Sequence, residues 1–397
     1  MSTQKQTAAV RCGIESDREH GAVVPPLYLS SNFAFEGFDR KREYDYTRSG
    51  NPTRDQLGEA LAELEGGAGA VVTGSGMSAV FLVTQLLQPD DLVLAAHDCY
   101  GGCHRLFDSL SRQSKLTVEF CDLTQTVSAA AQIKARRPRV VWVETPSNPL
   151  LRVTDIRAIS DACKAVDALL VVDNTFLSPA LQRPIELGAD LVVHSTTKYL
   201  NGHSDVVGGA VVAATEALYE DLTWWANCIG VTGAPFDSFL TLRGVRTLHA
   251  RIAQHERNTR EVVDALAAHP AVSRIYYPGL SSHPGHAVAR RQQQGFGGMV
   301  SFELAAGEAS VATFVESLRL FSLAESLGGV ESLVAHPATM THAAMTPEAR
   351  ETAGISGALV RLSVGIEHAE DLVEDLTRAL DQVQTVPQPT PAAQAAC

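Results

Sequence analysis

Along the chain, short runs of Val, Leu and Ala recur: GAVVT (69–73), LVLAA (92–96), LTVEF (116–120), VVWVE (140–144), LLVVD (169–173), LVVHS (191–195) and GAVVA (209–213). The runs are continuous in apolar character and do not alternate with polar residues. That is the pattern of strands covered on both faces. Helix-like stretches lie between them, so the order predicts a parallel, doubly wound α/β sheet. Sheets of this kind bind ligands outside the carboxyl ends of their strands. The residues following each run are therefore where chemistry is expected.

Two regions depart from this rhythm. Residues 20–54 are rich in Pro, Gly and Ser and show no sustained period, which predicts an extended arm lying against another subunit. After about residue 246 a long polar helix is expected over 251–268, then strands at SRIYY and MVSFEL and a closing helix near 369–384. This reads as a smaller α+β domain. The division expected is an arm at 1–55, an α/β domain at 56–248, an α+β domain at 249–385 and a tail at 386–397. The Pro/Ala/Gln-rich tail is expected to be disordered. No internal repeat is visible.

Composition narrows the function. With 45 acidic against 32 basic side chains, the net charge of -13 disfavours nucleic acid or an anionic membrane as partner. An anionic ligand must then be held by a local cluster. No run reaches the roughly 20 apolar residues of a membrane span, and the start, MSTQKQTAAVRCG, lacks a secretory signal's apolar stretch. A cytoplasmic location is expected. The seven cysteines form no C-x-x-C pair, as in a reducing compartment, and most fit small core residues. Cys99 and Cys103, flanking Tyr100 and two glycines, are the pair to watch.

Several strand ends carry candidate chemistry. Asp173 closes the run LLVVD, where an ionised carboxylate is costly unless a cation or several donors face it. A turn or helix cap is the plainer account of such an Asp. Lys198 follows the next run, behind Ser195, Thr196 and Thr197. A lysine so placed can lose its proton readily, as a Schiff-base nucleophile must, and the hydroxyls can donate to phosphate oxygens. The turn TGSGMSA (73–79) joins a strand to an apolar helix, its glycines admitting an anion to the helix N–H groups. It lacks both G-x-G-x-x-G and G-K-[ST], so a compact monophosphate fits better than a dinucleotide. Tyr100 offers an aromatic face to a flat ring, or is a half-buried core tyrosine. Arg361, inside an otherwise apolar strand pattern, suits a substrate carboxylate bidentately, or an internal salt bridge.

These segments together carry a resemblance. DYTRSGNPTR (45–54), GSGM (74–77), YGG (100–102), ETPSNP (144–149), VVDNTF (171–176), HSTTKYLNGHSD (194–205) and AESLGGVESL (324–333) resemble the cystathionine γ-synthase and γ-lyase family of pyridoxal 5'-phosphate (PLP) enzymes, over about residues 6–385. The resemblance implies a fold of the aspartate aminotransferase-like type I class, a PLP-dependent transferase with a smaller C-terminal α+β domain. It implies Lys198 as the lysine that binds PLP as an imine and shuttles protons, Asp173 on the ring nitrogen and Tyr100 stacked on the ring. Gly76, Met77, Ser195 and Thr197 would hold the phosphate, with Tyr46 and Arg48 reaching in from a neighbouring subunit of a homotetramer built from paired dimers. Arg361, Asn148 and Ser326 would orient the substrate carboxylate. Asp45 and Glu325 would meet the amino group of incoming cysteine, and Arg105 the distal carboxylate of a succinyl ester. The activity implied is γ-replacement of O-succinyl-L-homoserine by L-cysteine in methionine biosynthesis. Ser49 and the SGNPTR stretch are shared with γ-lyases, so γ-elimination or use of O-acetylhomoserine stays open.

Other classes fit less well. Ser195 to Lys198 also reads as S-x-x-K, but the S-D-N and K-T-G of serine acyl-transfer enzymes are missing. His283 and His286, or His336 and His342, lack the spacing and acidic neighbours of a zinc site, so no metal is expected.

Overall fold

The computed structural model describes residues 4–343, 350, 351 and 353–384; the tail at 386–397 lies outside the described residues. Seven of the described strands form one sheet: β1 (Gly69–Thr73), β2 (Leu92–Ala96), β3 (Thr117–Cys121), β4 (Val140–Glu144), β5 (Leu169–Asp173), β6 (Leu191–His194) and β7 (Gly209–Ala213). Their order is β1-β7-β6-β5-β4-β2-β3. Every residue of β1, β4 and β7 is buried, as continuous apolar runs require. β3 sits one residue later than its apolar run, and β6 ends at His194, leaving Ser195 beyond the strand.

The sheet is not purely parallel. β7 runs antiparallel to both β1 and β6, while β6, β5, β4, β2 and β3 are parallel. The expectation of an all-parallel sheet fails here because residues 195–208 form turns with no helix. A parallel return needs a crossover, usually helical, so the chain comes back antiparallel. One consequence matters for the site: Thr73, at the end of β1, pairs with Gly209, at the start of β7. The glycine-rich turn after β1 therefore meets the lysine-bearing loop between β6 and β7. A Cβ on Gly209 would lie 2.2 Å from the Ser75 carbonyl oxygen, so only glycine allows that approach.

A second sheet holds β8 (Val272–Tyr276), β9 (Met299–Leu304), β10 (Ser322–Leu323), β11 (Leu333–Ala335) and β12 (Leu359–Ser363), in the order β10-β11-β12-β9-β8. Each sheet has its own apolar cluster. The helix Leu248–Ala268 joins them, placing Leu248 and Ile252 in the first and Val262, Val263 and Leu266 in the second. At the amino end, Lys5–Arg11 is a helix that buries Ala8 and Ala9, and Pro52 opens the helix Pro52–Glu65, whose first N–H groups are capped by Asn51. Between them residues 20–51 run without helix, exposing Leu29, Phe35 and Phe38. Among the described residues no helix is long and apolar enough to cross a membrane.

Candidate active site

The sheet changes direction of winding between β2 and β4: β3 lies beyond β2 on one side, β5 and β6 beyond β4 on the other. A crevice at such a switch point is the expected ligand site. A cavity of about 300 Å³ opens there, and eleven of the fifteen site residues expected from the sequence line it: Gly76, Met77, Tyr100, Asn148, Asp173, Ser195, Thr197, Lys198, Glu325, Ser326 and Arg361.

The phosphate end is built from the turn after β1. Ser75 caps the helix Gly76–Thr84, its hydroxyl accepting from Ser78 N at 3.0 Å. The N–H groups of Gly76 and Met77 fall in the first turn, where a helix has no internal acceptors for them. A Cβ on Gly76 would lie 2.9 Å from Ser195 Cβ, so the missing side chain keeps the cradle open. The Thr197 hydroxyl donates to Gly208 O (3.2 Å) and accepts from Gly208 N (3.0 Å), which ties the lysine loop to the start of β7.

Asp173, at the end of β5, accepts from Thr175 N at 3.0 Å. Burial pushes its carboxyl above the usual range, with the Thr175 hydrogen bonds and the charge of His194 opposing. A cation facing it in the cavity would reverse that push. Behind the strand ends, Glu65 accepts from His194 Nε2 (2.7 Å) and Asn174 Nδ2 (2.8 Å), both fully buried. Lys198 Nζ donates to Ser326 Oγ at 2.6 Å. Burial first, then the Arg361 guanidinium, brings the amine down to about 8, while Glu325 pulls it back up. That places a reactive neutral amine within reach at ordinary pH.

The second sheet closes the cavity. Arg361, on β12 and 2% exposed, donates to Asn148 Oδ1 (2.9 Å) and the Ser326 carbonyl (2.8 Å). Its Nε has no partner although buried, so the guanidinium retains a free donor for a carboxylate. Ser326 holds φ of 95°, a backbone strained by roughly 1–3 kcal/mol, and contacts both basic side chains: Lys198 through its hydroxyl, Arg361 through its carbonyl. Tyr100, just before the helix Gly101–Arg112, is 43% exposed and offers its ring to the cavity.

Four expected residues are not among the cavity lining. Asp45 pairs with Lys41 (2.9 Å) and accepts from Ser49 (2.8 Å). Arg48 donates to Asn227 O (2.7 Å) and Oδ1 (2.8 Å), and Tyr46 is exposed beside it. Arg105 is exposed on the helix that follows Tyr100. Conversely, Glu144, Thr175 and Thr341 line the cavity without having been singled out. Glu144 carried the same signal as Asp173, an acid closing an apolar run. His283 Nδ1 and His286 Nδ1 meet backbone groups, Gly285 N and Pro278 O, and no cluster of three or more metal-ligating side chains occurs among the described residues.

A depressed lysine amine, an acid at a buried strand end, an anion cradle and a carboxylate fork in one crevice define an enzyme that uses an aldehyde phosphate cofactor on amino acids. The donor set fits PLP: an anion cradle for the phosphate at one end, Asp173 for a ring cation, and Lys198 for the aldehyde. The model for Cys/Met metabolism PLP-dependent enzymes matches residues 6–381. Cystathionine gamma-synthase of Escherichia coli (strain K12) is 55% identical over 377 residues, 95% of this chain and 97% of that protein. Cystathionine beta-lyase of Lactococcus lactis subsp. lactis (strain IL1403) is 46% identical over 380 residues, 96% of this chain and 100% of that protein. A crystal structure of cystathionine gamma synthase from Xanthomonas oryzae pv. oryzae, in complex with cystathionine, is 60% identical with a TM-score of 0.96, covering 98% of this chain and 100% of that one. The chain belongs to the Cys/Met metabolism PLP-dependent enzyme family; its fold is the type I fold and its cofactor is PLP.

Proposed function

We propose that this enzyme is a cystathionine γ-synthase, joining O-succinyl-L-homoserine and L-cysteine into L-cystathionine with release of succinate, in methionine biosynthesis. The observation that carries this reading is the 60% identity, over 98% of the chain, to a synthase crystallised with cystathionine. Relatives named as β-lyases and γ-lyases stand lower, at 40–47%, a band that also holds a cystathionine gamma-synthase at 46%.

PLP, when bound, supplies an electron sink for negative charge developing at the substrate Cα. Gly76, Met77, Ser195 and Thr197 hold its phosphate, Asp173 its ring nitrogen and Tyr100 its ring face. Arg361, supported by Asn148 and Ser326, orients the substrate carboxylate. Lys198 Nζ, whose pKa in the cofactor-free chain is lowered to about 8 so that a sizeable fraction is neutral near that pH, takes the proton from Cα and returns one at the end of the reaction. Over the cycle the Cγ–O bond to succinate breaks and a Cγ–S bond to cysteine forms, the thiol proton leaving with the products. Glu325, at the rim, receives the ammonium of cysteine together with Asp45, and Arg105 the far carboxylate of the succinyl group.

The remaining assignments concern assembly. The chain is organised as an arm (1–55), a PLP-binding domain (56–248), an α+β domain (249–385) and a tail (386–397). The arm brings Asp45, Tyr46 and Arg48 to a neighbouring subunit's cavity in a cytoplasmic homotetramer of paired dimers. The unlined positions of those three residues in their own chain, and the exposed apolar side chains of the arm, support this arrangement.

Purified protein is expected to be yellow and, given O-succinyl-L-homoserine and L-cysteine, to yield mainly cystathionine, read by mass spectrometry. Dominant 2-oxobutyrate in the presence of cysteine would replace this reading with that of a lyase.

A further inference from the structure

At the switch point the ladder that joins β2 to β4 ends early: its last paired residues are Ala95 and Trp142. Beyond it the two chains diverge into the loops that carry Tyr100 and Asn148. Backbone pairing therefore does not set the spacing between the ring-facing wall and the wall that supports Arg361. Side chains span the gap: Ser147 Oγ donates to Asp98 Oδ2 at 2.6 Å and Arg152 reaches the same carboxylate at 3.3 Å, but Glu144 binds the backbones of Tyr100 and Asn148 themselves. Glu144, the last residue of β4 and 6% exposed, accepts from Tyr100 N through Oε2 at 2.6 Å and from Asn148 N through Oε1 at 3.1 Å.

We propose that Glu144 is a positioning residue for the amino-acid substrate, its carboxylate clamping the Tyr100 and Asn148 backbones across the switch point so that Asn148 presents Oδ1 to Arg361. The inference rests on the functional reading above, in which Arg361 binds the substrate carboxylate.

Chemistry favours this role over that of a buried filler. Both partners are N–H donors, so the clamp requires two acceptor oxygens, which a carboxyl group supplies and an amide does not. Ionisation is costly there: burial first, then the facing charge of Asp173, push the Glu144 carboxyl well above its usual range, against which the two N–H donors act. A glutamine has one acceptor and would turn an NH₂ toward one of two N–H groups. Aspartate keeps both oxygens, but with a side chain one methylene shorter it cannot keep both contacts. Neither substitute reproduces the span.

The test uses holoenzyme loaded with PLP. In Glu144→Gln, KM for O-succinyl-L-homoserine should rise roughly tenfold, the size of one lost charge-assisted hydrogen bond, with kcat altered much less. Calorimetric binding of L-2-aminobutyrate, which has the substrate carboxylate and no leaving group, should weaken by the same factor. In an Asn148→Ala background, where the presented amide is already gone, Glu144→Gln should change both quantities less than about twofold. Additive losses in that background, or an unchanged KM and binding constant in the single variant, overturn the proposal. So does a loss that merely follows a fall in thermal midpoint. Should Glu144→Gln fail to fold, Glu144→Asp carries the same expectations. If wild type binds L-2-aminobutyrate but makes no cystathionine, the synthase reading fails, and the calorimetric cycle still judges Glu144.

Discussion

The cavity wall and the arm are built by opposite rules. The wall is made of strand ends: Asp173 closes β5, Glu144 closes β4, Lys198 follows β6 and Arg361 sits within β12, each held by burial and by hydrogen bonds from the same chain. The arm has no sheet partner beyond isolated bridges such as Asn32 to Tyr46, and Phe38 is 101% exposed on it. Its candidate residues Asp45, Tyr46 and Arg48 pair locally or with the helix Glu216–Ile229, away from the cavity of their own chain. Chemistry on a strand end is finished within one subunit. An extended segment that leaves apolar side chains uncovered marks an interaction surface.

The sharpest way to break this comparison is complementation. Lys198→Ala should lose at least about a thousandfold in kcat, as expected when a proton-transferring side chain is removed. Arg48→Ala should lose activity mainly through weaker PLP retention. If the arm serves the neighbour's cavity, unfolding and refolding the two inactive variants together restores some sites that have both an intact lysine and an intact arm. Random pairing predicts about a quarter of wild-type activity. No recovery, with mixed oligomers confirmed by mass spectrometry, would place the arm's chemistry within its own chain.

The second test lies wholly in the wall. Arg361→Leu removes the fork proposed to meet the substrate carboxylate and leaves Asn148 Oδ1 without its donor. A hydrogen bond to a charged group contributes roughly 1.5–3 kcal/mol, so KM should rise about 10- to 100-fold. Lysine at this position should recover little, because a point charge cannot satisfy Asn148, the Ser326 carbonyl and a carboxylate together. Steady-state kinetics with O-succinyl-L-homoserine reads both.

What the sequence made legible follows the same divide. Continuous apolar runs located all seven strands of the large sheet to within a residue, since burial on both faces writes itself into composition. The direction of β7 was not legible. It depends on whether a connection crosses over, and residues 195–208 look no different in hydropathy from other loops. Asp173, Lys198 and Arg361 stood out because charge in or after an apolar run needs an explanation. Glu144 bore the same mark but was read only as part of a motif, since its partners, two backbone N–H groups 44 and 4 residues away, have no signature in side-chain identity. The arm's lack of periodicity was visible, whereas the pairing of Arg48 with Asn227, 179 residues away, has no signature in the local sequence.

The smallest expected effect concerns Lys198 in the cofactor-free chain. Its amine has a pKa of about 8 in the folded protein against the usual 10.5, chiefly because burial disfavours the charge. Below about 8 the amine is protonated in both folded and unfolded chains, and the fold bears the full cost of burying an ammonium. As pH rises from about 8 toward 10.5, the folded amine sheds its proton while the unfolded one keeps it, so the unfolded state binds more protons and stability rises. Lys198→Met has the same reach and no charge. Denaturant unfolding of the two cofactor-free proteins should therefore show Met as the more stable below pH 8, by about 3 kcal/mol, with the gap closing as pH climbs through that window. A gap that stays constant from pH 7 to 10 would mean that the amine is solvated in the folded chain. The wall would then lack the property that separates it from the arm, a charge held where water cannot support it.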